Sequence, residues 1–230
     1  MEIGTKRPTG ERTRAAILRE AVSLATVDGL EGLSIGNLAS ALGMSKSGLY
    51  AHFGSKQDLQ LATVDEAGRI FRAEVIEPAL AAPAGVAQLV ALCDAFFDHL
   101  QRRTFPGGCF FAGASLEMGA RPGPVHERVA EFQRSLASLI RQFVVTAQQR
   151  GELPADEDPD QLTFEVGGVI LAANTNFVLQ QDPRALEVAR QVVRRRLRYD
   201  HGQSSGRRAR KPGSQSPDKR ARSGAHESPV

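Results

Sequence analysis

Apolar residues recur every three or four positions from about residue 15 to residue 199, the spacing of helices that bury one face, and no comparable run alternates with the period of a strand. In "TRAAILREAVSLATVDGL" the stripe is Ile17, Leu18, Ala21, Val22 and Ala25. Gly29 followed by Leu30 predicts a left-handed cap with its apolar contact, so the first helix is expected to end near Asp28. Ile35, Leu38, Ala39 and Leu42 define a short second helix between an N-cap at Ser34 and Gly43. A third, from Lys46 to about Phe53, follows an N-cap at Ser45, with Met44 and Leu49 at the spacing of a hydrophobic staple. Ser55 and Asp58 form a capping box opening a fourth helix, expected over Lys56 to Glu77 and stopped by Pro78, about 33 Å long at roughly 1.5 Å per residue.

Four further helices follow. Val86 to Arg103 carries Leu89, Cys93, Phe96, Phe97 and Leu100 on one face, and a glycine-rich break leads into "CFFAGASLEM". Pro124 starts a stripe through Val129, Phe132, Leu136, Leu139, Ile140 and Phe143 that ends at Gly151. Asp158-Pro159 and Asp182-Pro183 each pair an N-cap with a proline at the first helical position. The second of these helices ends in Arg194, Arg195, Arg196 and Arg198, suitably placed for the helix dipole. The fold class predicted is all-α.

The third helix raises the question of function. Only Leu49 and Phe53 point clearly inward, which leaves Lys46, Ser47, Gly48, Tyr50 and Ala51 outside. So little apolar content makes a weak helix by itself, and the Gly43-Met44-Ser45 turn joins it to the second helix as a helix-turn-helix. Small residues at Ser47, Gly48 and Ala51 permit close approach to a surface, while Lys46, Tyr50 and His52 supply donors around the rim. A DNA major groove, about 12 Å wide, accepts such a helix. Lys56 lies in the first turn of the fourth helix, where the dipole disfavours a cation. Set against DNA, its ammonium and the nearby amides converge on one phosphate.

These residues resemble the tetracycline-repressor-type (TetR) transcriptional regulators over about Glu11 to Phe71. "GLYAHFGSKQDL" carries most of the likeness, with Tyr50, His52, Phe53 and Lys56 standing at the family's Tyr-x-His-Phe and phosphate-contacting lysine. Gly36 and Asn37 depart from it, in positions where better helix formers are usual, and Leu24 stands where an aromatic is common. The resemblance implies an N-terminal three-helix DNA-binding domain over 11–71, with its helix-turn-helix at 34–53, and a helical ligand-binding and dimerisation domain over 72–199. Ser34, Ser45, Lys46, Ser47, Gly48, Tyr50, His52 and Lys56 are the expected DNA contacts. Phe97, Cys109, Phe110 and Phe177 are the expected contacts of a small-molecule effector. The last two long helices, 159–198, are expected to pair with a second copy as a four-helix bundle, so that two third helices face a near-palindromic double-stranded operator. The function implied is ligand-responsive transcriptional regulation, usually repression. An architectural DNA binder without ligand control is the rival, and competition with random DNA separates the two.

Composition changes this picture in one place. The net charge of +3 conceals seven Lys/Arg against two Asp/Glu in residues 201–230, so residues 1–200 carry 22 against 24, a net of −2. That tail is rich in Gly, Ser, Pro and Arg and is expected to be disordered, either as a solubilising extension or as a non-specific attraction to nucleic acid. No uninterrupted apolar run suggests a membrane span, the start has no signal-peptide character, and the two cysteines form no disulfide framework, so a cytoplasmic place is expected. "HERVA" lacks the second histidine of a zinc-protease motif, "GGCFFAG" lacks the context of a dinucleotide loop, and no catalytic constellation, metal site or cofactor is expected. His99, His126, His201 and His226 have no companions at ligand spacing. Cys109 reads either as a small core residue or as a thiol activated by a helix N-terminus. Asn174 and Asn176, in an otherwise apolar helix, read either as ligand contacts or as a polar contact across the dimer seam.

Overall fold

The computed structural model describes residues 9–199, and among them all regular structure is helical. The basic tail, 200–230, lies outside the described residues. The elements are α1 (Thr9–Gly32), α2 (Ile35–Leu42), α3 (Lys46–Phe53), α4 (Lys56–Phe71), a π-helical turn (Arg72–Ile76), α5 (Glu77–Ala81), α6 (Val86–Gln101), α7 (Phe110–Met118), α8 (Pro124–Gln149), α9 (Pro159–Gln180) and α10 (Arg184–Arg196). The expected stripes become one contiguous apolar core running from Ile17 to Leu197. The junction expected at 71/72 therefore falls inside that core, at the end of α4. α1 packs on α4 and α7, α4 on α8, and α9 on α8 and α10.

Local signals act as read at most helix starts. Ser45 Oγ accepts the N–H of Gly48, Ser55 Oγ accepts that of Asp58, and Asp158 accepts those of Asp160 and Gln161. Each satisfies donors that have no partner in the first turn. Asn37, an unpromising helix former by propensity, completes a capping box: Ser34 N–H donates to Asn37 Oδ1 at 2.7 Å and Asn37 N–H to Ser34 Oγ at 3.2 Å. Asn37 is therefore placed for its side chain.

Three expectations need correction. Gly29 does break α1, but with φ 78° and ψ 162° it is not a left-handed cap, and one further helical turn follows it to Gly32. Pro78 does not stop the fourth helix. The preceding π-helical turn widens the backbone, Glu77 N–H reaching back five residues to Arg72 O, and Pro78 then sits in the first turn of α5, where no N–H is needed. The third concerns membrane spans: by length and composition α9 is apolar enough to cross a membrane, and 28% of that stretch is buried in this chain. One of its sides packs on α8 and α10, while Phe164, Leu171 and Leu179 on it remain exposed.

Candidate functional site

The α2–α3 unit is built from few buried anchors. Leu38 and Ala39 of α2 and Leu49 and Phe53 of α3 are buried, and Arg14 of α1 lies over the Phe53 ring at 5.3 Å. Gly43, at φ 62° and ψ 26°, makes the left-handed turn between the helices, its N–H reaching Ala39 O and Ser40 O. With α3 so fixed, Ser45, Lys46, Ser47, Tyr50 and Ala51 are exposed on one surface, Tyr50 by 57%. Gly48, Ser34 and His52 are half-buried at its edge. Lys46 extends back across α2, so that a Cβ on Gly36 would stand 3.7 Å from its Nζ, an ordinary contact. Lys56 is held differently from expectation: its ammonium donates to Glu31 O at 2.7 Å and to Glu31 Oε1 at 2.8 Å. That hydrogen bond and charge hold the Glu31 carboxyl below the usual carboxylate range. They also offset the cation in the first turn of α4.

Glu31 belongs to the extra turn after Gly29, whose first amides have no partner within α1. Glu117, in the last turn of α7, supplies one: Oε2 accepts Leu30 N–H at 2.7 Å and Oε1 accepts Glu31 N–H at 2.8 Å. A carboxylate suits a helical N-terminus. The adjoining loop is equally close to α1, with Gly107 N–H donating to Thr26 Oγ1, and a Cβ on Gly107 would stand 1.8 Å from Thr26 O. Sequence reading missed Glu117. Its position at the C-terminal end of its own helix, where the dipole disfavours an anion, was the available signal.

The same α7 forms a wall of a cavity of about 210 Å³. Phe111 of α7 stacks on Phe132 of α8 with centroids 3.4 Å apart, and Phe71 of α4 stands edge-on to both. Phe96, Ser115, Gln133, Thr163, Gly167 and Ile170 are among the other lining residues. Of the four expected ligand contacts only Cys109 lines it. Phe97, one residue beyond Phe96 and so turned by about 100° on α6, lies instead under the Arg190 guanidinium. Phe177 lies under that of Arg103, and Phe110 is buried beside Phe111 without lining the cavity. Burial pushes the Cys109 thiol up to about 11, against the activation read from its place at a helix start. The reactive reading of Cys109 is thereby disfavoured.

Asn174 is explained by the same loop, since its Oδ1 accepts Cys109 N–H at 2.9 Å and caps the start of α7. Asn176 bonds within α9, to Ala172 O and Gln180. Neither lines the cavity. His99 is a buried core histidine whose Nδ1 lies 2.8 Å from Glu74 Oε2, and His126 Nδ1 lies 2.9 Å from Met118 O. On the far side, exposed Phe164 (82%), Leu179 (79%), Val188 and Val192 give α9 and α10 an apolar face. A groove lined by Val169, Asn176, Val188 and Val192 runs between the two helices.

Residues 17–63 match the family model for bacterial regulatory proteins of the tetR family, and residues 85–193 match that for a tetracyclin repressor-like C-terminal domain. The chain is similar to the transcriptional regulator AcuR of Cereibacter sphaeroides, 28% identical over 186 residues covering 76% of this chain and 82% of the relative. A TetR transcriptional regulator from Chloroflexus aurantiacus has a TM-score of 0.76 at 26% identity, over 83% of this chain and 96% of the other. AibR, solved in complex with isovaleryl coenzyme A and operator DNA, shares the fold with a TM-score of 0.63 at 22% identity, over 78% of this chain and 95% of the other.

Proposed function

The chain belongs to the tetracycline-repressor (TetR) family of DNA-binding transcriptional regulators, and from that premise we propose that it is a homodimeric repressor released from a near-palindromic operator by a small molecule. The observation that carries the ligand-controlled part is α7. Phe111 and Ser115 on this one short helix line the cavity, and Glu117 on the same helix caps the turn of α1 that holds Lys56. A molecule entering the cavity displaces α7, and the displacement reaches the DNA-binding helices through two hydrogen bonds as well as along α4. The exposed apolar face of α9 and α10, over 159–198, supports the dimer, because burying Phe164 and Leu179 against a second copy removes large apolar side chains from water.

In the DNA complex the small exposed residues Ser47 and Ala51 allow the α3 backbone into the major groove, while Ser34, Ser45, Lys46, Gly48, Tyr50 and His52 face the phosphates and base edges around it. Lys56 exchanges Glu31 for a phosphate. A ligand shifts this equilibrium only by its differential affinity for the two arrangements, commonly about 1–3 kcal/mol, or roughly 5- to 150-fold in operator affinity. Selection of bound duplexes from a randomised pool with the full chain tests the reading. A near-palindromic consensus is expected, with Tyr50→Ala weakening its binding by about 1 kcal/mol or more while the fold persists. Recovery of no preferred sequence would instead favour an architectural DNA binder.

A further inference from the structure

The cavity is informative about its occupant because of what its walls lack. Among the described residues lining it, none is Asp, Glu, Lys, Arg or His, and its single ionisable group, the Cys109 thiol, is buried. A carboxylate or ammonium entering would lose its hydration without meeting an opposite charge. The walls are mainly aromatic and aliphatic, with Phe71, Phe111 and Phe132 in mutual contact at one side.

Polarity is confined to a few groups. Thr163 is occupied, its hydroxyl donating to Pro159 O at 2.7 Å. Gln133 Nε2 donates to Ser115 Oγ at 2.7 Å and reaches Phe111 O at 3.5 Å. Because a backbone carbonyl only accepts, that contact fixes which way the Gln133 amide is turned. Gln133 Oε1 is left as an acceptor and the Ser115 O–H as a donor, both neutral, between α7 and α8. Size sets a second limit. A dry cavity of about 150 Å³ accommodates benzene. The present one is about 210 Å³, so it has room for a six-membered ring and roughly two further heavy atoms, taking about 30 Å³ for each water-sized group.

We infer that the cavity binds an uncharged, single-ring apolar molecule bearing one hydroxyl group, which donates to Gln133 Oε1 and accepts from Ser115 Oγ while the ring rests against Phe71, Phe111 and Phe132. The inference deepens the ligand-released reading above and rests on it only for the consequence at DNA, not for binding. Three probes of seven or eight heavy atoms separate its parts: 4-methylphenol, toluene and benzylammonium, each titrated calorimetrically at neutral pH into the full-chain protein without DNA, with melting temperature as a second readout. The phenol should bind and raise the melting temperature, toluene should bind more weakly by about 5-fold or more for want of the two hydrogen bonds, and benzylammonium should not bind. Ser115→Ala and Gln133→Leu should each reduce the preference for the phenol and leave toluene affinity unchanged. Failure of all three probes to bind, benzylammonium binding as tightly as the phenol, or a Gln133→Leu variant that folds yet loses toluene equally would overturn the inference. Binding of the phenol without any change in operator affinity would leave the cavity assignment standing and refute the ligand-released reading instead.

Discussion

Replacing Glu117 by alanine tests the link between the cavity wall and the DNA-binding helices most directly. The side chain lies on α7, yet its carboxylate satisfies Leu30 N–H and Glu31 N–H, 87 and 86 residues away in sequence, at 2.7 and 2.8 Å. Hydrogen bonds to charged groups contribute about 1.5–3 kcal/mol each when shielded, and less when water can take over. Glu31 is exposed, so its amide turns to solvent at little cost, whereas Leu30 is 1% exposed and its amide is left without a partner. The expected loss is therefore close to that of one shielded bond, about 2 kcal/mol. For a chain of this size that lowers the melting temperature by about 4–8 °C. Glu117→Gln keeps one acceptor oxygen and should fall between the parent and Glu117→Ala. Thermal unfolding followed by circular dichroism measures all three proteins. A Glu117→Ala variant melting within about 1 °C of the parent would show that the cap contributes nothing and that α7 and α1 are not joined through it.

Gly107→Ala should cost about 1–3 kcal/mol by overpacking, because its Cβ meets the Thr26 carbonyl at 1.8 Å and either the loop or α1 must shift. In the same urea titration Gly113→Ala, which meets nothing within 4 Å inside α7, should be neutral or stabilising by up to about 1 kcal/mol. The Glu74 carboxylate on the π-helical turn predicts a pH dependence. Its partial burial raises its pKa, but hydrogen bonds from His99, Arg102 and Thr104 outweigh this and the net shift is downward from 4.5. A carboxyl with a depressed folded-state pKa binds fewer protons folded than unfolded, so its contribution is complete above about pH 4.5 and is lost as pH falls through the lower folded value. Urea unfolding from pH 7 to pH 3 should show Glu74→Gln less stable than the parent at neutral pH and the difference closing below about pH 4. A constant difference would refute that origin.

The helix-turn-helix of α2 and α3 was legible because its signals are local. Ser34, Ser45 and Ser55 act on amides three residues ahead, and Leu49 and Phe53 share a face through helical periodicity alone. The cavity was not legible to the same degree. Phe96 rather than Phe97, and Phe111 rather than Phe110, line it, and a choice between adjacent residues of an apolar helix depends on how that helix is rotated against its neighbours. Pro78 shows the same limit in the backbone, since only the π-helical turn before it turns a helix stop into a first-turn proline.

By itself, then, the chain's pattern determined that it is helical throughout its described length, that α3 presents a small polar face, and where most helices begin, since all of these follow from spacing within one or two turns. Tertiary structure alone decided that Lys56 rests on Glu31, that Glu117 caps a turn on another helix, and that Asn174 caps α7 across 65 residues of sequence. The physical reason is the range of the forces involved. Periodicity and capping act over a few residues of chain, whereas a hydrogen bond between side chain and backbone needs only about 3 Å in space and leaves no trace in sequence separation.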